Sequence, residues 1–232
     1  FAGWLMPVQY SNLIEEHLTV RNKVGLFDVS HMGTFRISGK NAFKFLQSMV
    51  PNDINRITKG KAIYSQFCNE NGCVLDDLII YYIDDELFYM VVNASNVEKD
   101  FDWLTKNQTL DEVKLENIAN QTAVLALQGP LAEKTLQKIC SYDLSTIPTF
   151  GLVRAKINDI ESIISRTGYT GEDGFELIFD NKIDDIAIKN VKPQKGTRVE
   201  FIISTISKRK LSAIFKEYSN DASNKDTGGK LT

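Results

Sequence analysis

Three strand-like runs lie almost end to end in the middle of this chain, at residues 62–68, 74–83 and 87–92. Only the turn Asn69-Glu70-Asn71-Gly72 and the three acids Asp84-Asp85-Glu86 separate them. Connections this short can join only antiparallel neighbours, because a parallel pair needs a crossover of a dozen or more residues. A meander of this kind excludes a regular βαβ alternation and predicts an α+β fold of antiparallel sheets with packed helices. Further strands are expected at 32–37, 160–166 and 175–179. Helices are expected at 41–50, which stops at Pro51, at 97–106, and at 130–139, where Pro130 takes its favoured first-turn position. The first helix should run from the N-cap Asn12, with Glu15 completing a capping box, to Lys23. Its buried side should carry Leu13, Ile14, Leu18 and Val20. No internal repeat is evident.

With 232 residues the chain can build one large domain or two small ones. Its net charge of −3 argues against nucleic-acid binding, and no apolar run approaches the roughly 20 residues of a helical membrane span. Cys68, Cys73 and Cys140 cannot all pair and lack metal-ligand spacing, which points to free thiols in a reducing compartment. Residues 1–180 hold 16 basic and 24 acidic side chains, whereas residues 181–232 hold 11 and 6. The expected organisation is therefore a core over 1–180, incomplete at both ends because Phe1-Ala2-Gly3-Trp4 reads as domain interior. An atypical basic tail follows over 181–232, disordered from Ser219 onward.

Two constellations could carry chemistry. Asp76 and Asp77 fall inside the second strand of the meander, where alternation sends them to opposite faces. At least one should press against apolar surface, and desolvation there would raise its pKa toward a useful acid–base range. The run Gly168-Tyr169-Thr170-Gly171-Glu172-Asp173-Gly174-Phe175-Glu176 holds three glycines that allow close backbone approach to a ligand. It has acids where a phosphate loop would place lysine, so it suits a ligand that offers N–H donors, such as an aminopyrimidine edge. Ser30 and His31 are adjacent and point apart on extended chain, which argues against a triad. His17 reads as a surface residue and Lys208-Arg209-Lys210 as a solvated basic face. No metal site is expected.

These stretches, together with Gly25-Leu26-Phe27-Asp28-Val29-Ser30-His31-Met32-Gly33, Val91-Val92-Asn93-Ala94, Leu127-Gln128-Gly129-Pro130 and Ser165-Arg166-Thr167, resemble in order the T-protein (aminomethyltransferase) family of the glycine cleavage system. The resemblance runs from Phe1 to about Phe179. It implies an enzyme that takes the aminomethyl group from the lipoyl arm of a carrier, the H-protein, and passes its carbon to tetrahydrofolate with release of ammonia. Tetrahydrofolate would be the co-substrate, with no metal. By the same resemblance Asp77 stands at the catalytic aspartate, with Asp76 as second choice. Tyr64, Tyr81, Asn93 and Tyr169 stand at folate-pocket positions, and Glu176 at the glutamate that anchors the pterin.

Two departures stand out. Cys73 replaces a usual glycine, and the family's Gly-Leu-Gly-Ala-Arg-Asp segment and C-terminal barrel have no counterpart after Asp180, so an inactive fragment is one expectation. Alternatives are a non-catalytic folate-binding or carrier-docking module, and a related folate-dependent demethylase domain. Iron–sulfur assembly relatives carry a loop cysteine that Thr167-Gly168-Tyr169-Thr170 lacks. The expected setting is a monomer in the cytoplasm, or in the mitochondrial matrix of a eukaryote, with no nucleic-acid or membrane partner.

Overall fold

A computed structural model describes residue 4, residues 6–180 and the backbone of residues 200–202. The expected tail features, including Lys208-Arg209-Lys210 and the segment from Ser219 onward, lie outside the described residues. Helix α1 (Leu13–Asn22) is capped by Asn12, whose side chain accepts from the backbone N–H groups of Ile14 and Glu15. Glu16, not Glu15, reaches back past the helix start, and it meets the two residues before the cap rather than the N-cap N–H of a capping box. Its Oε1 accepts from Tyr10 N at 2.8 Å and Ser11 N at 2.6 Å. The buried side of α1 is also corrected. Glu16 and Val20 face inward, while Leu13, Ile14 and Leu18 are 58%, 69% and 49% exposed.

The rest is two antiparallel sheets packed face to face. One has the order β3 (Lys61–Cys68), β4 (Val74–Asp84), β5 (Leu87–Val92), β2 (Gly33–Ser38), β6 (Lys114–Asn117). The other runs β8 (Leu152–Ile157), β9 (Ile160–Ser165), β10 (Gly174–Asp180), β7 (Thr122–Gln128), β1 (Gly25–Asp28), and β11 (Glu200–Ile202) adds parallel to β1. Helices α2 (Ala42–Met49) and α3 (Val97–Asn107) cover the outer face of the first sheet through Phe45, Leu46 and Leu104. Helix α4 (Ala132–Leu136) covers the second through Ala132 and Leu136. Between the sheets lies a third cluster that includes Ala62, Tyr81, Val91, Val124, Ala126, Ile163 and Ile178. Alternation along β4 makes this possible: Leu78 and Ile80 face the helices, Tyr81 and Ile83 face the other sheet.

The fold contains an internal repeat that the sequence reading missed. β1-β2-α2-β3-β4-β5 and β6-β7-α4-β8-β9-β10 have the same order, and each half lends its first strand to the other: β1 pairs with β7, β6 with β2. Corresponding residues lie 90 positions apart: Gly39 and Gly129, Ala42 and Ala132, Leu46 and Leu136, Gln47 and Gln137, Asp53 and Asp143. They do matched work. Ile54 N donates to Gln47 Oε1 at 2.8 Å and Leu144 N to Gln137 Oε1 at 2.9 Å. The expected helix over 130–139 shrinks to α4. It starts at Ala132, two residues beyond Pro130, and after Leu136 the backbone tightens into three-residue turns, Lys138 N donating to Thr135 O at 3.4 Å and Ile139 N to Leu136 O at 3.0 Å. Cys73 is accommodated because Gly72 has φ 76°, whereas Cys73 is not among the residues with positive φ.

Candidate active site

Two polar clusters lie on the inter-sheet face of β4. In the first, Asp77 projects from β4 into solvent-exposed space, and its register partner Gln66 places Tyr64 two residues along β3 on the same side. Tyr64 Oη donates to Asp77 Oδ2 at 3.1 Å. Asn93, at the end of β5, donates through Nδ2 to Asp77 Oδ1 at 2.8 Å and to the Asp77 carbonyl at 3.2 Å. The carboxyl is therefore held from both sides while remaining open to a ligand.

Asp76 goes the other way. It is 7% exposed beneath α3. Its oxygens accept from Asn93 N at 3.2 Å, Asn93 Nδ2 at 3.0 Å and Asn96 Nδ2 at 2.7 Å. Desolvation works to raise its pKa, as expected from the sequence, but hydrogen bonds from Asp100, Asn93 and Asn96 outweigh it and hold Asp76 below the ordinary value. The raised carboxyl is its neighbour Asp100, pushed up to about 8 by burial and by Asp76. Buried, with its oxygens committed, Asp76 is a poor second choice for direct catalysis.

The second cluster sits where the sheets meet. Tyr81, fully buried, donates from Oη to Glu176 Oε2 at 2.8 Å, and Thr167 Oγ1 donates to the same oxygen. Burial first, and the Glu176 charge second, push the Tyr81 phenol well above the usual range, so it stays a donor. Glu176 Oε1 has no protein hydrogen-bond partner among the described residues, although the residue is only 5% exposed. Tyr81→Phe should lower stability by about 1.5 kcal/mol, because a buried acceptor loses one of its two donors; chemical denaturation of both proteins measures it, and equal midpoints and slopes would contradict the linkage.

The glycine-rich loop that precedes β10 is pinned. Gln128, fully buried, donates to Thr167 O at 3.1 Å and accepts from Thr170 Oγ1 at 2.9 Å. A Cβ on Gly168 would lie 2.0 Å from Gln128 Oε1, and Gly171 has φ +79°, so both positions require glycine. The loop acids do not wait for a ligand as the sequence reading allowed. Glu172 pairs with Arg21 at 2.9 Å. Asp173 binds Arg166 through two bonds of 2.8 and 2.5 Å. Tyr169 stands 67% exposed on the loop.

The structure thus joins Asp77, Tyr64 and Asn93 in one cluster and Tyr81 and Glu176 in another. Thr167, Asn96, Asp100 and Gln128 were missed as contributors: Gln128 and Thr167 stood inside motifs of the resemblance without a role, and Asn96 and Asp100 meet Asp76 only through the docking of α3 on β4. Ser30 is structural: Val124 N donates to its Oγ at 2.9 Å.

A family model described as the GCVT N-terminal domain matches residues 1–228. The chain belongs to this family. An aminomethyltransferase of Thermoanaerobacter sp. (strain X514) is 51% identical over 183 residues, 78% of this chain and 50% of that protein. One from Desulforamulus reducens (strain ATCC BAA-1160 / DSM 100696 / MI-1) is 52% identical over 179 residues, 77% and 49%. Among solved structures, the glycine cleavage system aminomethyltransferase T from Bartonella henselae superposes with a TM-score of 0.70 at 35% identity, covering 77% of this chain and 48% of that one. The chain spans about half the length of the curated relatives it matches. The matches to these relatives extend over about 180 residues, and the GCVT N-terminal domain match spans residues 1–228.

Proposed function

We propose that this chain supplies the folate site of an aminomethyltransferase: the aminomethyl group on a carrier's lipoyl sulfur gives its carbon to tetrahydrofolate. The carbon bridges two folate nitrogens, ammonia leaves, and the sulfur departs as a thiol. The two protons lost by the folate nitrogens balance those gained by ammonia and thiol. The Asp77 carboxyl, gripped by Tyr64 and Asn93 yet open on its third side, is the observation that carries this reading. It is placed to receive a proton from the attacking nitrogen and deliver one to the departing amine. Glu176, with Oε2 bonded and Oε1 without a protein partner, suits the paired N–H donors of an aminopyrimidine edge. Asp77 and Tyr81 are four residues apart on β4, roughly 13 Å along the strand, a span for a flat ring system and its linker.

A lipoylated carrier and tetrahydrofolate are the partners proposed, with no metal required. A second reading, a folate-binding module without turnover, draws support from the exposure of the Asp77 side. Assaying this chain beside a chimera completed after Phe179 with the remainder of a relative separates the two. Ammonia release that depends on tetrahydrofolate and aminomethylated carrier should be robust in the chimera and weak in this chain, since an uncovered site admits water and orients its reactants poorly. Tetrahydrofolate binding by the chimera without ammonia release would favour the module.

A further inference from the structure

Asp100 lies on the inner side of α3 with none of its surface exposed. Neither of its carboxyl oxygens has a hydrogen-bond donor among the described residues. The group that acts on it is a second carboxyl, Asp76 of β4. Asn96, one turn before Asp100, draws Asp76 under the same helix, with Asn96 Nδ2 donating to Asp76 Oδ1 at 2.7 Å. Two carboxylates cannot bond to each other, so one of the pair carries a proton. The surrounding donors decide which. Asp76 receives three N–H groups, from Asn93 N at 3.2 Å, Asn93 Nδ2 at 3.0 Å and Asn96 Nδ2 at 2.7 Å. Asp100 receives none, so the proton resides on Asp100 and its hydroxyl donates to Asp76. The cation within reach, Lys99 of the same helix, stands 4.0 Å from Asp100 Oδ1, half exposed. It is engaged by the Leu75 carbonyl at 2.7 Å. Asp76 and Lys99 are the charged groups that act on Asp100.

A relay of contacts leads from this pair to the site. Asn93 binds Asp76 with the same amide nitrogen that binds Asp77 Oδ1 at 2.8 Å. We propose that Asp100 is a positioning residue for Asp77: the proton it shares with Asp76 clamps α3 to β4, Asp76 so held fixes the Asn93 amide, and Asn93 presents the Asp77 carboxyl. The functional consequence rests on the role given to Asp77 above; the clamp does not. Loss of the shared proton sets two buried anions against each other and frees Asn93. The Asp77 site is therefore ordered in neutral solution and loosened in alkaline solution, through a group that touches no substrate.

The test uses this chain, its Asp100→Asn and Asp100→Ala variants, and NMR of the Asn93 side-chain amide. In the parent that amide should be protected and should shift with a single step near pH 8, where Asp100 ionises. Asp100→Asn keeps a donor toward Asp76, so the amide should keep its neutral-pH position and lose the step. Asp100→Ala should collapse its protection at every pH. Thermal unfolding gives a second readout that survives a failure of Asp100→Ala to fold. A carboxyl raised in the folded state costs stability increasingly as pH climbs from its ordinary value of 3.8 to about 8, and no further above that. The gain in Tm of Asp100→Asn over the parent should therefore grow across that window and then level off. An Asn93 amide without a step near pH 8 in the parent, or a Tm difference independent of pH, would overturn the clamp. A clamp that behaves as expected beside an Asp77→Asn variant with full transfer would leave the clamp standing and remove the role of Asp77.

Discussion

Replacing Asp77 by asparagine should slow aminomethyl transfer in the completed chain by roughly 10²- to 10⁴-fold, the usual contribution of a positioned acid–base group. Tetrahydrofolate affinity should change far less. The geometry makes this a clean substitution. An asparagine amide has the same shape, its oxygen can accept from Asn93 Nδ2 where Asp77 Oδ1 now does at 2.8 Å, and its NH₂ can donate to a rotated Tyr64 hydroxyl now 3.1 Å from Oδ2. What it cannot do is take up and release a proton near neutrality. Single-turnover ammonia release and equilibrium binding of tetrahydrofolate, measured on the same preparation, separate the two effects. Full transfer by the variant would remove Asp77 from the chemistry, whereas equal losses in rate and affinity would make it a binding residue.

Glu176→Gln should act on binding instead. Glu176 Oε2 is committed to Tyr81 and Thr167, so the other oxygen is the one a pterin edge would meet. A glutamine must turn either its oxygen or its NH₂ toward those two donors. In one orientation the ligand meets a donor where it needs an acceptor; in the other, Tyr81 and Thr167 face an NH₂ group. Loss of a charge-assisted acceptor costs about 1.5–3 kcal/mol, roughly a 10- to 150-fold weaker Kd for tetrahydrofolate. Calorimetric titration of the completed chain measures it, with the unfolding midpoint recorded alongside because Glu176 is buried. An unchanged Kd would exclude the anchoring role.

Much of the fold was legible because local rules decide it. The turn at Asn69–Gly72 and the acids at 84–86 left no topology for β3, β4 and β5 except a meander. Alternation correctly sent Asp76 and Asp77 to opposite faces. The first helix failed the same kind of reading. Its apolar residues Leu13, Ile14 and Leu18 look outward, while Glu16 is buried because it satisfies the backbone N–H groups of Tyr10 and Ser11. Periodicity assigns burial by side-chain type and is blind to a carboxyl that folds back onto the backbone leading into its helix. The repeat escaped for a different reason. At an offset of 90 residues the identities are scattered, among them Gly39/Gly129, Ala42/Ala132, Lys44/Lys134, Leu46/Leu136, Gln47/Gln137, Asp53/Asp143 and Ile57/Ile147. They become conspicuous once each half is seen to exchange its first strand with the other.

From the sequence alone came the antiparallel α+β class, the Asp76–Asp77 pair, the glycine loop and, through a run of motifs in fixed order, the family. All of these depend on neighbours a few residues apart or on the order of short words along the chain. The tertiary structure alone decided which acids are occupied, which are buried and which remain open. Glu172 and Asp173 are neutralised by arginines at positions 21 and 166. Glu176 is turned between the sheets toward Tyr81, 95 residues away in sequence. Asp76 is sunk beneath α3, where it meets Asp100. The ionisation and reach of a carboxyl are set by the dielectric and the donors within a few ångströms of it, and in this protein those neighbours are brought together by sheet packing and helix docking rather than by adjacency in the chain.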